Sequence, residues 1–210
     1  MDMEKVDAGA ARIAGEEKAL GDSLELVKRL TFIGAALSAE KDSTRLMELI
    51  LEAARDFTGA DGGTLYSRTA DDKLVFEIMF TESLGIHLGG TSGKPIELQA
   101  FNIYHPDGSA NRDMVAAWAA VSGETISIAD AYQAQDFDFS GTRAFDEKTG
   151  YRSQSFLTVP MLSHTDEVFG VLQLINARDR DGDGDAYGGP RAFNEHDRSL
   201  MESLASQAAI

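Results

Sequence analysis

Two apolar runs near the C-terminal end constrain this chain most. Residues 155–162 and 168–175 are apolar at most positions, and the polar stretch Ser163-His164-Thr165-Asp166 separates them. Runs of that length around a polar turn read as a hairpin of buried central strands. A second hairpin lies upstream, where 62–68 and 74–80 flank Thr69-Ala70-Asp71-Asp72. Hairpin-paired strands with helices before and after imply a mostly antiparallel sheet with helices packed on it, an α+β architecture. No GxGxxG or GxxxxGK[ST] follows a strand, so the nucleotide-binding α/β folds fail.

The ends are helical by pattern. Leu20, Leu24, Val27, Leu30, Gly34 and Leu37 recur at three- and four-residue steps, which predicts a first helix and a parallel homodimer seam along it. After a polar break, a second helix carries Leu46, Leu49, Ile50, Ala53 and Phe57, with Asp42 or Ser43 as N-cap and Gly59 just past its end. A last helix from about Asn194 carries Leu200, Met201, Leu204 and Ala208 and runs to Ile210 without a stop signal, as expected of the front piece of a longer protein. Between the hairpins the pattern predicts a long glycine-rich loop over 82–111, a short helix over 113–121 and a short strand over 125–128. A second irregular stretch follows over 130–150, and an aspartate-rich loop precedes the last helix.

Composition removes whole classes of function. The 210 residues include 35 acidic and 19 basic side chains, a formal charge of −16. Such a surface repels a phosphate polymer and an anionic membrane, so no nucleic acid and no membrane partner is expected. No stretch reaches the roughly 18 apolar residues of a membrane span. The N-terminal Met1-Asp2-Met3-Glu4-Lys5 is not a secretion signal, and a cytoplasmic location is expected. With no cysteine, disulfides, thiolate metal sites, cysteine nucleophiles and thioether-linked chromophores all drop out.

Little else points to catalysis. His87, His105, His164 and His196 have no partner at metal-ligand spacing, no GxSxG elbow exists, and no carboxylate pair stands out; no catalytic residue and no metal site is assigned. The run Asp179-Arg180-Asp181-Gly182-Asp183-Gly184-Asp185 starts like a calcium loop. Its twelfth position is Pro190 instead of glutamate, which favours a solvated turn. The short helix is more informative, because a helix N-terminus attracts a phosphate. Ala116 and Ala117 there would let a ligand approach the backbone, whereas Asp113 as N-cap would compete for the same amides.

The run Phe145-Asp146-Glu147-Lys148-Thr149-Gly150-Tyr151-Arg152-Ser153-Gln154-Ser155-Phe156-Leu157-Thr158-Val159-Pro160 resembles the D-x-x-T-G-[FY]-x-[ST]-x-S-[IF]-L-x-[VMF]-P signature of GAF domains. Gly170-Val171-Leu172-Gln173-Leu174-Ile175-Asn176 is similar to the strand that follows it, and Asp130-Ala131-Tyr132 matches the family's DAY. The resemblance covers the chain from about Asp42 onward and is nearest to the subset found in cyclic-nucleotide phosphodiesterases and adenylyl cyclases. The extended segments His87-Leu88-Gly89-Gly90-Thr91-Ser92-Gly93-Lys94-Pro95 and Phe137-Asp138-Phe139-Ser140-Gly141-Thr142 are similar to bacterial GAF modules that precede HD-GYP phosphodiesterase domains.

The resemblance implies a GAF-like (profilin-like) six-stranded antiparallel sheet with helices on one face and a ligand pocket on the other. The short helix and the loop over 132–150 would roof that pocket. It implies phosphate-binding amides at Val115 and Ala116 beside Met114, a purine neighbour in Tyr132, and polar lining from Thr149 and Gly150. The subset also carries an N-K…F-x-x-x-D-E brace. Here Asn176, Phe193 and Asp197 fit, while Ala177 stands at the lysine and Arg198 at the glutamate, leaving Arg178 as the cation able to reach Asp197. The family's methionine-sulfoxide reductases and bilin sensors need cysteine, and a haem would have only the loop residues His87 and His105.

The organisation expected is a signalling and dimerisation helix over 1–41, a GAF core over 42–193, and the start of a C-terminal signalling helix over 194–210. The function expected is a non-enzymatic sensor without cofactor that binds a small molecule, foremost a cyclic nucleotide. It would signal through its terminal helices to an output domain such as an HD-GYP phosphodiesterase or a nucleotide cyclase. The alternative is a ligand-free scaffold that serves only dimerisation.

Overall fold

The structure, a computed structural model, describes residues 27–28, 31–37, 39–180 and 187–208. They fall into two compact units divided between Ala39 and Glu40. In the first unit, residues 27–28, 31–37 and 39 are helical. The Thr31 hydroxyl donates to the Val27 carbonyl at 2.8 Å, the back-bond of a helical threonine. Leu20, Leu24 and Leu30 of the expected dimer seam lie outside the described residues, as do positions 181–185 of the expected calcium loop.

The second unit contains α1 (Ser43–Thr58), β1 (Gly62–Arg68), β2 (Lys73–Thr81), β3 (Ile86–Gly89), β4 (Phe101–Asn102), α2 (Val115–Ser122) and β5 (Ile126–Ile128). It continues with α3 (Ser140–Thr149), β6 (Phe156–Leu162), β7 (Val168–Ile175), β8 (Ala177–Arg180), β9 (Tyr187–Arg191) and α4 (Glu195–Gln207). The main sheet runs β3-β2-β1-β7-β6-β5, with β4 added onto β2. All its pairings are antiparallel. The expected six-stranded sheet is therefore present with a short seventh strand, and the two apolar runs are its interior strands β6 and β7.

Side chains alternate across the pleat, so register assigns the faces. Gly63 opposes Leu174, which opposes Leu157, and Leu65, Leu172 and Val159 form the next row; this is the rear face. Helix α1 presses on it so closely that a Cβ at Gly63 would stand 2.8 Å from Leu51 Cδ1. Helix α4 packs beside α1 and on β6 through the buried Leu200, Met201 and Leu204. The front face carries Thr64, Tyr66, Val171, Gln173, Phe156 and Thr158. Helix α2 covers it with Ala116, Ala117, Ala119 and Ala120, whose small side chains let the helix lie close to the sheet.

Helix ends follow their signals where signals exist. Asp42 caps α1 by accepting from the Arg45 amide at 2.9 Å, and Gly59 ends it at φ +64°. Asn194 and Asp197 form a reciprocal capping box at the start of α4. Three stretches differ from expectation. The glycine-rich passage contains β3, a 3₁₀ turn at Gly90–Ser92 and β4, because its backbone pairs with the edge of β2. The irregular stretch contains α3, of whose residues only Asp146 is buried. The residues flanking the aspartate-rich run pair as a two-stranded ribbon, β8 with β9.

Candidate ligand-binding site

The short helix α2 starts two residues later than the pattern predicts. Its N-cap is Met114, and no side chain caps the terminus. The expected competition from Asp113 is therefore absent; that carboxylate instead lies 3.8 Å from His105 Nε2. The first intrahelical bond runs from the Trp118 amide to the Met114 carbonyl at 2.9 Å. Val115 and Ala116, the expected phosphate-binding positions, have buried side chains, while Met114 is exposed.

The roof over this terminus is held by one buried carboxylate. Asp146 of α3 is 3% exposed and accepts from the Tyr132 hydroxyl, the Ser153 amide and the Ser153 hydroxyl, each at 2.7 Å. The hydrogen bond to Asp146 also pushes the Tyr132 phenol above its ordinary pKa, since ionising it would lose the donor. Arg152 lies over the Tyr132 ring at 4.1 Å. Tyr132 thus fastens its own segment to α3. Thr149 and Gly150 close that helix: the Thr149 hydroxyl donates back to the Phe145 carbonyl at 2.8 Å, and Gly150 takes φ +72°.

The start of α2 packs against apolar neighbours, and polar groups lie on the sheet behind it. Val115, Ala131, Phe139 and Phe156 form one buried cluster, with the Phe139 and Phe156 rings 5.4 Å apart. The Asp138 amide donates to the Asp113 carbonyl at 2.8 Å, which ties the 137–139 segment to the start of α2. On the sheet, the Gln173 amide donates to the Thr158 hydroxyl at 3.0 Å and its carbonyl accepts from Tyr66 at 3.3 Å. Burial drives the Tyr66 phenol well above its ordinary pKa.

Asn176 sits at the end of β7 with φ +56°. Its oxygen accepts from the Gln154 and Ser155 amides at 2.8 and 3.2 Å. Its nitrogen donates to the Arg152 carbonyl and the Tyr151 hydroxyl at 2.8 and 3.0 Å. Tyr151 donates in turn to the buried Asp61 at 2.7 Å, and burial and that bond push its phenol far up. Arg178 does not reach Asp197, contrary to expectation. Its guanidinium pairs with Asp61 at 3.0 Å and Glu82 at 2.6 Å, and bonds the Gly59 carbonyl at 3.1 Å.

The cation on Asp197 is Arg191, at 2.5 and 3.2 Å. Arg191 is the direct cross-strand partner of Ala177, so the charge missing at the family's lysine position comes from the neighbouring strand. Phe193 is buried just before the capping box. Sequence reasoning missed Asp146, Asp61 and Arg191. Asp146 lies within the D-x-x-T-G motif, but nothing local indicates that its donors come from Ser153 and Tyr132. His87 of β3 approaches Glu48 of α1 at 3.3 Å, which places it away from the α2 terminus and from any haem role there. Among the described residues, no group of three or more His, Asp or Glu side chains is placed to hold a metal. None of their helices is long and apolar enough to cross a membrane.

An antiparallel sheet with two terminal helices behind it, and a short helix and a roof helix in front, defines a class of regulatory ligand-sensing domains. The GAF domain family matches residues 42–210, and the chain belongs to that family. Residues here are 39% identical over 62 positions to the dual 3′,5′-cyclic-AMP and -GMP phosphodiesterase 11 of Drosophila melanogaster, covering 30% of this chain and 4% of that protein. They are 30% identical over 96 positions to the cGMP-specific 3′,5′-cyclic phosphodiesterase of Drosophila erecta, covering 46% and 8%. The chain thus spans less than a tenth of the length of these relatives. The GAF domain of a Coxiella burnetii phosphoenolpyruvate-protein phosphotransferase has the same fold, with a TM-score of 0.60, 14% identity, and coverage of 88% of this chain and 90% of that one.

Proposed function

We propose that this GAF domain is a non-catalytic sensor whose front pocket takes a cyclic nucleotide. The phosphate would sit at the uncapped start of α2, and the base would lie under α3 beside Tyr132. The observation that carries this reading is the bare α2 terminus, with Met114 as cap and the Asp113 carboxylate turned to His105. Backbone amides there favour a single small anion despite the acidic surface. The partial identity to phosphodiesterases supports the ligand class. Binding would order the 82–111 and 133–150 segments and shift the two end helices, the N-terminal one over 1–41 and α4, which would pass the change to an output domain in a parallel dimer. The shift requires the ligand to prefer the closed roof over the open one.

A second reading has its own observation. Phe139 and Phe156 fill space under the roof, and the Tyr132 hydroxyl is committed to Asp146. On that reading the domain is a ligand-free scaffold for dimerisation. Calorimetric titration of nucleotide-free protein with cyclic AMP, cyclic GMP and cyclic di-GMP separates the two: heat with one of them supports the sensor, and flat traces with all three refute it. Light scattering of Leu24→Asp tests the dimer seam, which requires this variant to be monomeric.

A further inference from the structure

The segment His87-Leu88-Gly89-Gly90-Thr91 is built around one buried carboxylate on the opposite side of the sheet from the α2 terminus. Glu48 of α1 is 3% exposed. Its Oε1 accepts from the Thr91 amide at 2.8 Å and lies 3.3 Å from His87 Nε2. The two glycines are required by the close approach. At Gly90, φ +51°, a Cβ would stand 2.1 Å from Glu48 Oε1, and at Gly89, φ +72°, one would stand 2.0 Å from the Glu77 carbonyl oxygen. The Gly89 amide donates to the Lys94 carbonyl at 2.8 Å, and the Ser92 hydroxyl to the Gly89 carbonyl at 2.6 Å, which closes the turn on itself. The edge strand β3 is thereby strapped to α1.

We propose that this strap is a proton-operated latch: protonation of His87 tightens β3 and the Gly90–Ser92 turn onto Glu48 of α1, and deprotonation loosens them. The imidazole is open to solvent, with its side chain 41% exposed, at the mouth of a cavity of about 140 Å³. The charged groups facing it are Glu48, Glu52 and Arg55 from α1, while β2 contributes only the Phe80 ring. Arg55 is engaged over Phe80 at 4.0 Å and stands 3.9 Å from Glu82. Protonated His87 therefore faces a buried carboxylate as its nearest partner. Glu48 lies in the second turn of α1, so the latch sets how firmly that helix is held to the edge of the sheet.

The latch works whatever the front pocket binds, and its test needs no nucleotide. Hydrogen exchange at the Thr91 amide is measured on the whole chain at pH 5.5 and 7.5, the range in which a histidine ordinarily titrates, and corrected for intrinsic rates. Protection in the wild type should rise about three- to fivefold at pH 5.5, the size expected of a partly exposed ion pair. His87→Gln should hold the pH 7.5 level at both values. Glu48→Gln, once circular dichroism shows it folded, should lose the pH dependence as well. Equal wild-type protection at both pH values, or a pH response that survives in His87→Gln, overturns the latch. Because His87 is partly exposed, its variant tests the idea even if Glu48→Gln does not fold.

Discussion

Removing the Asp146 carboxylate should cost far more stability than removing any other side chain of α3. In Asp146→Ala, the Ser153 amide and hydroxyl lose an acceptor 2.7 Å away, and Ser153 is only 2% exposed, so water cannot replace it freely. Hydrogen bonds to a charged acceptor contribute about 1.5–3 kcal/mol each, and a buried donor left unpaired costs its desolvation in full. The Tyr132 hydroxyl, on a residue 36% exposed, can turn to solvent and adds little. The serine hydroxyl can rotate and recover part of its loss, so the total is about 3–4 kcal/mol. With a urea slope of about 2 kcal/mol/M, the unfolding midpoint should fall by about 1.5–2 M. Asp146→Asn keeps one oxygen but aims an amide nitrogen at the remaining donors, and should lose about half as much. A midpoint drop equivalent to less than about 1 kcal/mol in the alanine variant would refute the argument that this carboxylate pins the roof.

Two further outcomes follow from the same geometry. Tyr66 and Tyr151 are pushed up chiefly by burial, and Tyr132 by its bond to Asp146. A folded-state pKa above the unfolded value of about 10 means that stability is complete below that pH and is lost as pH rises beyond it. Urea midpoints should hold at pH 8 and fall above about pH 10, with Tyr66 and Tyr151 ionising only on unfolding; five tyrosinates titrating together near pH 10 in still-folded protein would contradict this. Met114→Asp supplies the missing cap at α2. It should stabilise the domain by about 0.5–1 kcal/mol while weakening cyclic-nucleotide binding about tenfold, and unchanged affinity in a stabilised variant would remove the phosphate from that terminus.

Much of the frame was legible because its signals are local. Asp42 and Gly59 mark both ends of α1, Asn194 marks the start of α4, and the apolar runs mark β6 and β7. Helix α3 was not legible: with Asp146 as its only buried residue it has no apolar stripe, and no side chain caps it. Strand β3 reads as loop in the sequence because it ends in Gly89 and is followed by Gly90, and the reasons for those glycines, the Glu77 carbonyl and the Glu48 carboxylate, lie in other elements. The site residues divide the same way. Gly150 as a helix stop is a local signal, whereas the Tyr132–Asp146 and Tyr151–Asp61 bonds span 14 and 90 positions and depend on the completed fold.

The brace on α4 shows how a motif can lose a residue and keep its charge pair. Ala177 is fully buried, and Arg191, directly opposite it on β9, supplies the guanidinium that meets Asp197. The Asp197 side chain is 3% exposed and still caps the Asn194 amide at 2.9 Å, so truncating Arg191 strands a buried carboxylate. Arg191 itself is 25% exposed, which lets water reach part of the pair and lowers the cost below that of a fully buried one, to about 2–3 kcal/mol for Arg191→Ala. Ala177→Lys alone should destabilise, because it crowds a second cation against the first. In the double variant Ala177→Lys/Arg191→Ala, the lysine occupies the family's own position and should recover at least about 1 kcal/mol relative to Arg191→Ala, measured by urea unfolding of all four proteins. A double variant no more stable than Arg191→Ala would mean that cross-strand adjacency does not account for the missing lysine, and that Asp197 requires the bidentate geometry only arginine provides.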